Sequence, residues 1–424
     1  MRTNRRNEMD DVRGTERRWP VLWAAFATYL LDSYDLIVLA IAMPVLLRVL
    51  DISLPEGGLI GSATMAGAMI GSVVFGLIAE NRGRRTALIV ALLWLGAGMG
   101  AVYFAHSLGM WMALRCLTGL AIGGIWGPCS ALIAEHWAPQ YRGRAASFVL
   151  SSFAVGAVAA SFMGRMVLDT DWRLLFLLGT VSIPFAFVVA RLVPPDRVSG
   201  AVPGGKAAAA KVGIADIFRG GLGKTTFLAT LVSLINLAGY WGAAYWIPTF
   251  LTRERGLSLT MMADFSLVMY AGMFFGFQFF GFLADRIGRR RAMIVAFGTV
   301  AAAVWVYIVV RDPIFLFWWG IVVGFGLPGV GGVLGAYFAE LFPERVRAYA
   351  GGFCWNMGRI GAVLAPYTIG KIGSHYGLAT GLAVTGVVYV IGALSLLLLP
   401  ETFGGAAREE AGSPADGEVK KSGS

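Results

Sequence analysis

Twelve long apolar runs, separated by short polar breaks, constrain this chain more than any other feature. They fall at about 20–47, 57–79, 86–105, 108–134, 145–168 and 172–194 in the first half. In the second half they fall at about 225–251, 261–284, 292–310, 313–341, 347–371 and 376–399. A helix needs about 20 apolar residues to cross the hydrocarbon core of a bilayer, and each run supplies that length. Charge is correspondingly scarce, 14% of residues against about 25% in an ordinary soluble domain. A 424-residue soluble enzyme would lack the polar surface to cover itself. The runs therefore predict an all-α membrane protein with 12 transmembrane helices and the lipid bilayer as its solvent.

The breaks give the organisation. Residues 1–19 form a charged N-terminal tail, 20–194 a first six-helix bundle, and 225–399 a second. Between the bundles, 195–224 is rich in Pro, Gly, Ala and Lys and reads as a linker. Residues 400–424 form a polar tail. An even number of spans puts both termini on one side. If that side is cytoplasmic, its tails and loops hold 26 of the 35 Lys and Arg, the opposite side holds 7, and Arg115 and Arg359 lie inside the runs. The positive-inside rule then predicts cytoplasmic termini in a bacterial-type cytoplasmic (inner) membrane. The +10 net charge is explained by these loops, and no nucleic-acid module accompanies it. Cys116, Cys129 and Cys354 sit in apolar runs with no disulfide or metal spacing. His106, His136 and His375 lie near run ends and form no metal cluster.

An internal repeat joins the halves. The break after run 2 reads Gly76-Leu-Ile-Ala-Glu80-Asn-Arg82-Gly83-Arg84-Arg85; that after run 8 reads Gly281-Phe-Leu-Ala-Asp285-Arg-Ile-Gly288-Arg289-Arg290. The offset is 205 residues. Run 4 ends in Glu135 with Arg142 seven residues later, and run 10 in Glu340 with Arg347 seven later, again offset by 205. Two motifs with one offset predict two pseudo-symmetric six-helix bundles. Glu80, Glu135, Asp285 and Glu340, with Arg84, Arg85, Arg142, Arg144, Arg289, Arg290 and Arg347, are expected to form a cytoplasmic gate that holds the inside closed and breaks when the halves rock apart. Interfacial anchoring by the arginines is the plainer alternative. Gly61, Gly67, Gly71 and Gly76 in run 2, and Gly119, Gly123, Gly124 and Gly127 in run 4, form small-residue faces suited to close helix packing.

Asp32 and Asp35 lie near the middle of run 1, and ionisable groups there are costly enough to suggest function. Three residues apart, they share a helix face. Two carboxylates that close in a low dielectric do not both ionise readily, which suits a proton carrier. Arg359 lies mid-run and Arg115 nearer the outer end of run 4. A guanidinium fork matches a carboxylate, so Arg359 is read as the anion site, with Trp355 and Asn356 on its face. Arg115 is expected either to join the anion site or to pair with Asp32 or Asp35. Tyr34, Trp126, Tyr240 and Trp241 are candidate walls of a binding cavity, and Asn236 and Gln278 its candidate polar lining. Gly221-Leu-Gly223-Lys224-Thr225-Thr226 has Phe218 where a phosphate loop needs glycine, so nucleotide binding is set aside.

The repeated G-x-x-x-D-R-x-G-R-R pattern in a 6+6 chain resembles the major facilitator superfamily over about 20–400. Its first copy departs at Glu80 and Asn81. Asp32-Ser-Tyr-Asp35 is similar to the D-G-x-D pattern of proton-coupled aromatic-acid symporters, with Ser33 for the glycine. The stretch from Ala339 to Arg347, with Gly352 to Arg359, resembles both those and the sialate/lactate-type symporters. Gly124-Ile-Trp126 with Ala134 to Trp137 points the same way, although Ile125 stands where a glutamate is often found. The resemblance implies alternating access around a central cavity, with Asp32, Asp35, Arg115, Glu135 and Arg359 at functional positions. The expectation is a proton-coupled symporter, not an enzyme. It would import a small organic carboxylate (aromatic acid, sialate or short hydroxy acid) as a monomer, with the proton gradient and no cofactor or metal. Proton-coupled efflux of drugs or metabolites is the alternative in the same fold. A non-transporting membrane receptor is the alternative outside transport.

Overall fold

A computed structural model describes residues 18–195 and 213–402. Most of the expected tails and linker lies outside these residues. Each apolar run carries a helix. The first bundle comprises α1 (Arg18–Val49), α2 (Leu54–Arg82), α3 (Arg84–Val102), α4 (Leu108–His136), α5 (Pro139–Asp171) and α6 (Leu174–Leu192). The second comprises α7 (Leu222–Arg253), α8 (Leu259–Ile287), α9 (Arg289–Val309), α10 (Pro313–Leu341), α11 (Arg347–Tyr376) and α12 (Leu378–Leu396). Eleven of these are long and apolar enough by composition to cross a membrane. The twelfth, α11, is 30 residues long. It carries Asn356, Arg359 and Lys371, which dilute its apolar character, and it packs between α7, α2 and α12. Both ends of the described chain lie on one face, called here the terminal face. The other is the far face.

The 205-residue repeat holds in three dimensions. Gly67 of α2 faces the backbone carbonyl of Cys116 in α4, and Gly272 of α8 faces that of Ile321 in α10. Gly71 meets Leu120 and Gly276 meets Phe325; Gly119 meets Thr64 and Gly324 meets Met269. Every pair of partners is related by the same offset. At Gly71 a side chain's Cβ would sit 2.0 Å from the Leu120 carbonyl oxygen, and at Gly276 it would sit 2.1 Å from that of Phe325. Only glycine admits this backbone approach, which replaces side-chain interdigitation as the source of packing contact. The helical breaks repeat as well. α4 is interrupted after Gly123 and α10 after Gly326. Gly124 lies against the ring of Phe75 and Gly329 against that of Phe280. Gly83 (φ 95°) and Gly288 (φ 103°) turn the chain from α2 into α3 and from α8 into α9, at backbone angles that other residues rarely adopt.

The two bundles meet along α2–α11, α5–α8 and α1–α7. On the far face the seam is tight. The Tyr245 hydroxyl of α7 donates to the Gly57 carbonyl of α2 at 2.7 Å. Gly58 lies against the backbone of Pro366 and Tyr367, and Gly370 against the Leu54 carbonyl. Arg165 of α5 pairs with Asp264 of α8 at 2.7 Å, and Thr260 donates to Asp169. The protein is thus closed on its far face.

The packing generates a paired test. Gly71→Val and Gly276→Val force side-chain atoms into a backbone and are expected to cost about 1–3 kcal/mol or more each. Gly76→Ala and Gly281→Ala, at symmetry-related positions with nothing within 4 Å, are expected to leave stability unchanged or slightly raised. Thermal unfolding of the purified protein in detergent separates the two pairs.

Candidate functional site

Asp32 and Asp35 leave α1 in different directions, because three residues on a helix differ by about 60°. Asp35 turns into the first bundle. There Arg115 of α4 donates Nη1 to its Oδ1 at 2.6 Å and Nη2 to its Oδ2 at 2.9 Å. The Arg115 Nε also reaches the Thr64 hydroxyl of α2 at 3.3 Å. Both charged side chains are 0% exposed. A bidentate fork with a third donor engaged satisfies most of the lone pairs and protons that burial strips of water. The pair ties α1, α2 and α4 together and leaves Arg115 with no surface for a ligand. Arg115 therefore falls on the pairing side of its two expectations.

Asp32 turns toward the interface of the bundles. It is buried, and its Oδ1 has no hydrogen-bond partner. Its charged surroundings are Asp35 and Arg359. Arg359 of α11 belongs to the opposite bundle and, among the described residues, forms no ion pair within 4.0 Å. Its Nη1 donates instead to the Ala68 backbone carbonyl of α2 at 2.7 Å. Beside it, the one proton of the Ser72 hydroxyl of α2 has two acceptors in reach, the Met69 carbonyl of its own helix at 2.8 Å and Asn356 Oδ1 at 3.0 Å.

A file of rings crosses from one bundle to the other at this place. Tyr29 and Trp126 have centroids 5.1 Å apart, Tyr29 and Phe153 5.8 Å, Phe153 and Tyr240 6.2 Å, and Tyr240 and Trp241 5.1 Å. Tyr29 also lies within the electrostatic surroundings of both Asp32 and Arg359. Asn236 is buried beside Gly331, just past the break in α10. The expected residues Asp32, Trp126, Tyr240, Trp241, Asn356 and Arg359 thus border one region, with Asn236 on its second-bundle side. Trp355 packs half-buried against the core.

Other expected residues lie elsewhere. The Tyr34 hydroxyl donates to the Leu175 carbonyl of α6 at 3.0 Å, inside the first bundle. Gln278, by contrast, is exposed on the α8 face that carries Asp264, the partner of Arg165 in the first bundle. Conversely, Tyr29, Phe153, Thr64, Ala68 and Ser72 were absent from the expected set. Tyr29 had a usable signal, since it precedes Asp32 by three on the same helix face. The others carried none.

The expected gate charges form contacts within each bundle. Arg84 pairs with Glu135 at 3.0 Å and, at the same offset of 205, Arg289 pairs with Glu340 at 3.1 Å and also with Asp285. Glu80 forms no ion pair among the described residues. Arg142 donates to the Trp137 carbonyl at 2.8 Å and Arg347 to the Phe342 carbonyl at 3.3 Å, capping the ends of α4 and α10. Arg85 donates to the Ala190 carbonyl and Arg290 to that of Leu399. Arg144 is exposed. Among the described residues no ion pair crosses between the bundles on this face. In this far-closed conformation the expected gate residues therefore pair within their own bundles. The charges tie α3 to α4 in the first bundle and α9 to both α8 and α10 in the second.

The buried pair makes a stability prediction. Asp35→Asn strands the Arg115 charge and is expected to cost about 3–5 kcal/mol, while the double change Asp35→Leu with Arg115→Met recovers most of it. Denaturant unfolding of the purified variants measures both.

Comparison with known proteins agrees with this architecture. The family profile of the Major Facilitator Superfamily matches residues 25–277 and 230–421. The "Cis,cis-muconate transport protein" of Acinetobacter baylyi is 28% identical over 391 residues, covering 89% of this chain and 93% of its own. A protein of Cupriavidus pinatubonensis, "Probable 4-methylmuconolactone transporter", is 27% identical over 402 residues, covering 92% of each. The crystal structure of a D-xylose-proton symporter superposes with a TM-score of 0.75 at 17% identity, covering 91% of this chain and 98% of its own. The twelve helices, the repeat and these matches place the chain in the major facilitator superfamily, as a membrane transporter and not an enzyme.

Proposed function

We propose that this protein is a proton-coupled symporter that imports an organic carboxylate. The observation that carries the reading is the unmatched pair at the bundle interface. Asp32 is a buried carboxylate with a free oxygen, and Arg359 is a guanidinium from the other bundle that lacks a carboxylate partner. Buried charge of this kind is costly unless something completes it. A substrate carboxylate completes Arg359 with a bidentate fork. A proton completes Asp32. Loading both with a monocarboxylate leaves the interface neutral, so the bundles can rock past one another with no net charge exposed to the low dielectric. A dicarboxylate needs one more proton or cation for the same balance.

The aromatic file from Tyr29 to Trp241 suits the apolar body of an unsaturated or aromatic acid. The relatives' names support this class, since muconate is an unsaturated dicarboxylate. Asp35 and Arg115, already matched to each other, act as a strut behind Asp32 and not as carriers. The distribution of Lys and Arg in the sequence supports the terminal face as cytoplasmic and the far face as external. In that orientation the far-closed structure is the inward-facing limb of alternating access, in a bacterial inner membrane. Efflux has no comparable support, because a free guanidinium at the interface selects anions rather than the cationic or neutral solutes of drug export.

The test is uptake into proteoliposomes with an acidic exterior. Labelled benzoate and cis,cis-muconate are the probes. Arg359→Ala is expected to weaken substrate affinity by about 10- to 100-fold, in line with loss of a charge-assisted bond of about 1.5–3 kcal/mol. Asp32→Asn is expected to abolish accumulation driven by the pH gradient. Undiminished pH-driven uptake in Asp32→Asn would refute the proton role, and unchanged affinity in Arg359→Ala the anion role.

A further inference from the structure

α7 carries a polar side chain that its own bundle leaves unanswered. Asn236 is 4% exposed, and its side chain forms no hydrogen bond among the described residues. Its counterpart in the first bundle, 205 residues earlier, is Leu31, so the repeated fold does not call for an amide there. Tyr240, one turn further along the same face of α7, gives its hydroxyl only to the Met273 sulfur at 3.7 Å, a weak acceptor. The Asn236 amide nitrogen borders a place without a side chain. It lies 3.7 Å from where a Cβ on Gly331 would stand, and nothing else comes within 4 Å of that point. Gly335, one turn on along α10, meets nothing within 4 Å. In the first bundle the counterpart of Gly331 is Trp126, whose ring occupies the symmetry-related place against Tyr29. The second bundle thus keeps a slot where the first has an indole, floored by glycine and headed by an unpaired amide. Arg359 stands beside it. Gly358 lies against Ser233, and Gly361 against Leu234 and Ala238, which sets Arg359 at the level of Asn236.

We propose that this slot is a second subsite, and that Asn236 selects acids carrying a second polar oxygen: a hydroxyl, or a second carboxyl in its protonated form. The proposal rests on Arg359 as the anion site. The substrate carboxylate lies on Arg359, its apolar body along the aromatic file, and its distal oxygen in the slot. An amide both donates and accepts, so Asn236 can answer the oxygen and the proton of one hydroxyl, with the Tyr240 hydroxyl as a second donor. Asn236, Tyr240 and the two glycines bring no charge, so the slot suits a neutral group and disfavours an ionised one. An acid without a distal oxygen leaves the amide buried and unpaired. A site built to hydrogen-bond a substrate group rejects the analogue lacking it on this ground. Gly331 sets the second criterion. A side chain there as large as that at Trp126 would fill the slot, so glycine admits the part of the substrate that extends beyond the rings.

The experiment measures binding of benzoate, 3-hydroxybenzoate and 4-hydroxybenzoate to the purified full-length protein by titration calorimetry in detergent. Neutral pH is used, where the carboxylates are ionised and the phenols are not. The unmodified protein is expected to bind at least one hydroxybenzoate about 2- to 10-fold more tightly than benzoate, the gain of one buried hydrogen bond. Asn236→Leu puts the first bundle's residue in place of the amide and is expected to erase this preference. Gly331→Leu fills the slot from α10 and leaves α7 intact, and it is expected to erase the preference too. The two variants lie on different helices, so the outcome does not hang on the folding of either one. Thr299→Ala, which removes a hydrogen bond within α9 alone, should keep the preference. An unmodified protein that binds the three acids equally would overturn the subsite, as would a preference that survives in either folded slot variant. Arg359→Ala is expected to weaken all three acids together. If it binds all three as tightly as the unmodified protein while Asn236→Leu loses the preference, the subsite stands and the anion assignment falls.

Discussion

A charge inside a bilayer must be answered by another group, because no water is there to answer it. The protein applies this rule in two ways. Asp35 and Arg115 answer each other completely, with both oxygens and both terminal nitrogens engaged and Thr64 taking the third donor. Asp32 and Arg359 do not. The first pair locks α1, α2 and α4 into one body, and the second is the pair that the proposed function assigns to a proton and an anion. Rigid bundles and a charge-deficient interface between them are both needed for rocking motion to carry solute.

The repeat shows how much of the chain serves scaffold and how little serves the site. Glycine contacts of α2 on α4 recur in α8 on α10 at the same offset, as do the breaks, the turns at Gly83 and Gly288, and the Arg84–Glu135 and Arg289–Glu340 pairs. The symmetry fails at the functional residues. Asp35, Arg115 and Thr64 have Tyr240, Gly320 and Met269 as their counterparts, and Arg359 has Ala154. Three of the four charges, Asp32, Asp35 and Arg115, belong to the first bundle and Arg359 to the second, while the rings come from both. A single solute lying on the axis then meets different chemistry from each bundle.

The fold was legible because its causes are periodic. Apolar runs of bilayer length, a basic loop bias and one repeated offset all survive in a linear string. Even α11, diluted by Asn356, Arg359 and Lys371, was found as one of the twelve apolar runs. The site was legible only where rarity marked it. Asp32, Asp35, Arg115 and Arg359 stood out as charges in apolar runs. Their partners did not, since the choice of Asp35 over Asp32 for Arg115 depends on how α1 is rotated against α4. Tyr34 looked like a lining residue by composition, yet the rotation of α1 turns its hydroxyl to the Leu175 carbonyl inside the first bundle. Ser72 and the Ala68 carbonyl were invisible, because a backbone acceptor has no letter of its own and serine is common in spans. The gate motifs were found, but a sequence cannot say whether an acid meets an arginine in its own bundle or across the gap.

The central claim is that carboxylate and proton cross together through Asp32 and Arg359. The most direct measurement is proton movement driven by substrate alone. Liposomes holding the protein and an internal pH dye are given an inward gradient of cis,cis-muconate, a permanently charged probe at neutral pH, with no pH gradient and the membrane potential clamped. The account predicts internal acidification with the protein present, lost in Asp32→Asn and in Arg359→Ala. Muconate entry without acidification, or acidification that persists in Asp32→Asn, would contradict it.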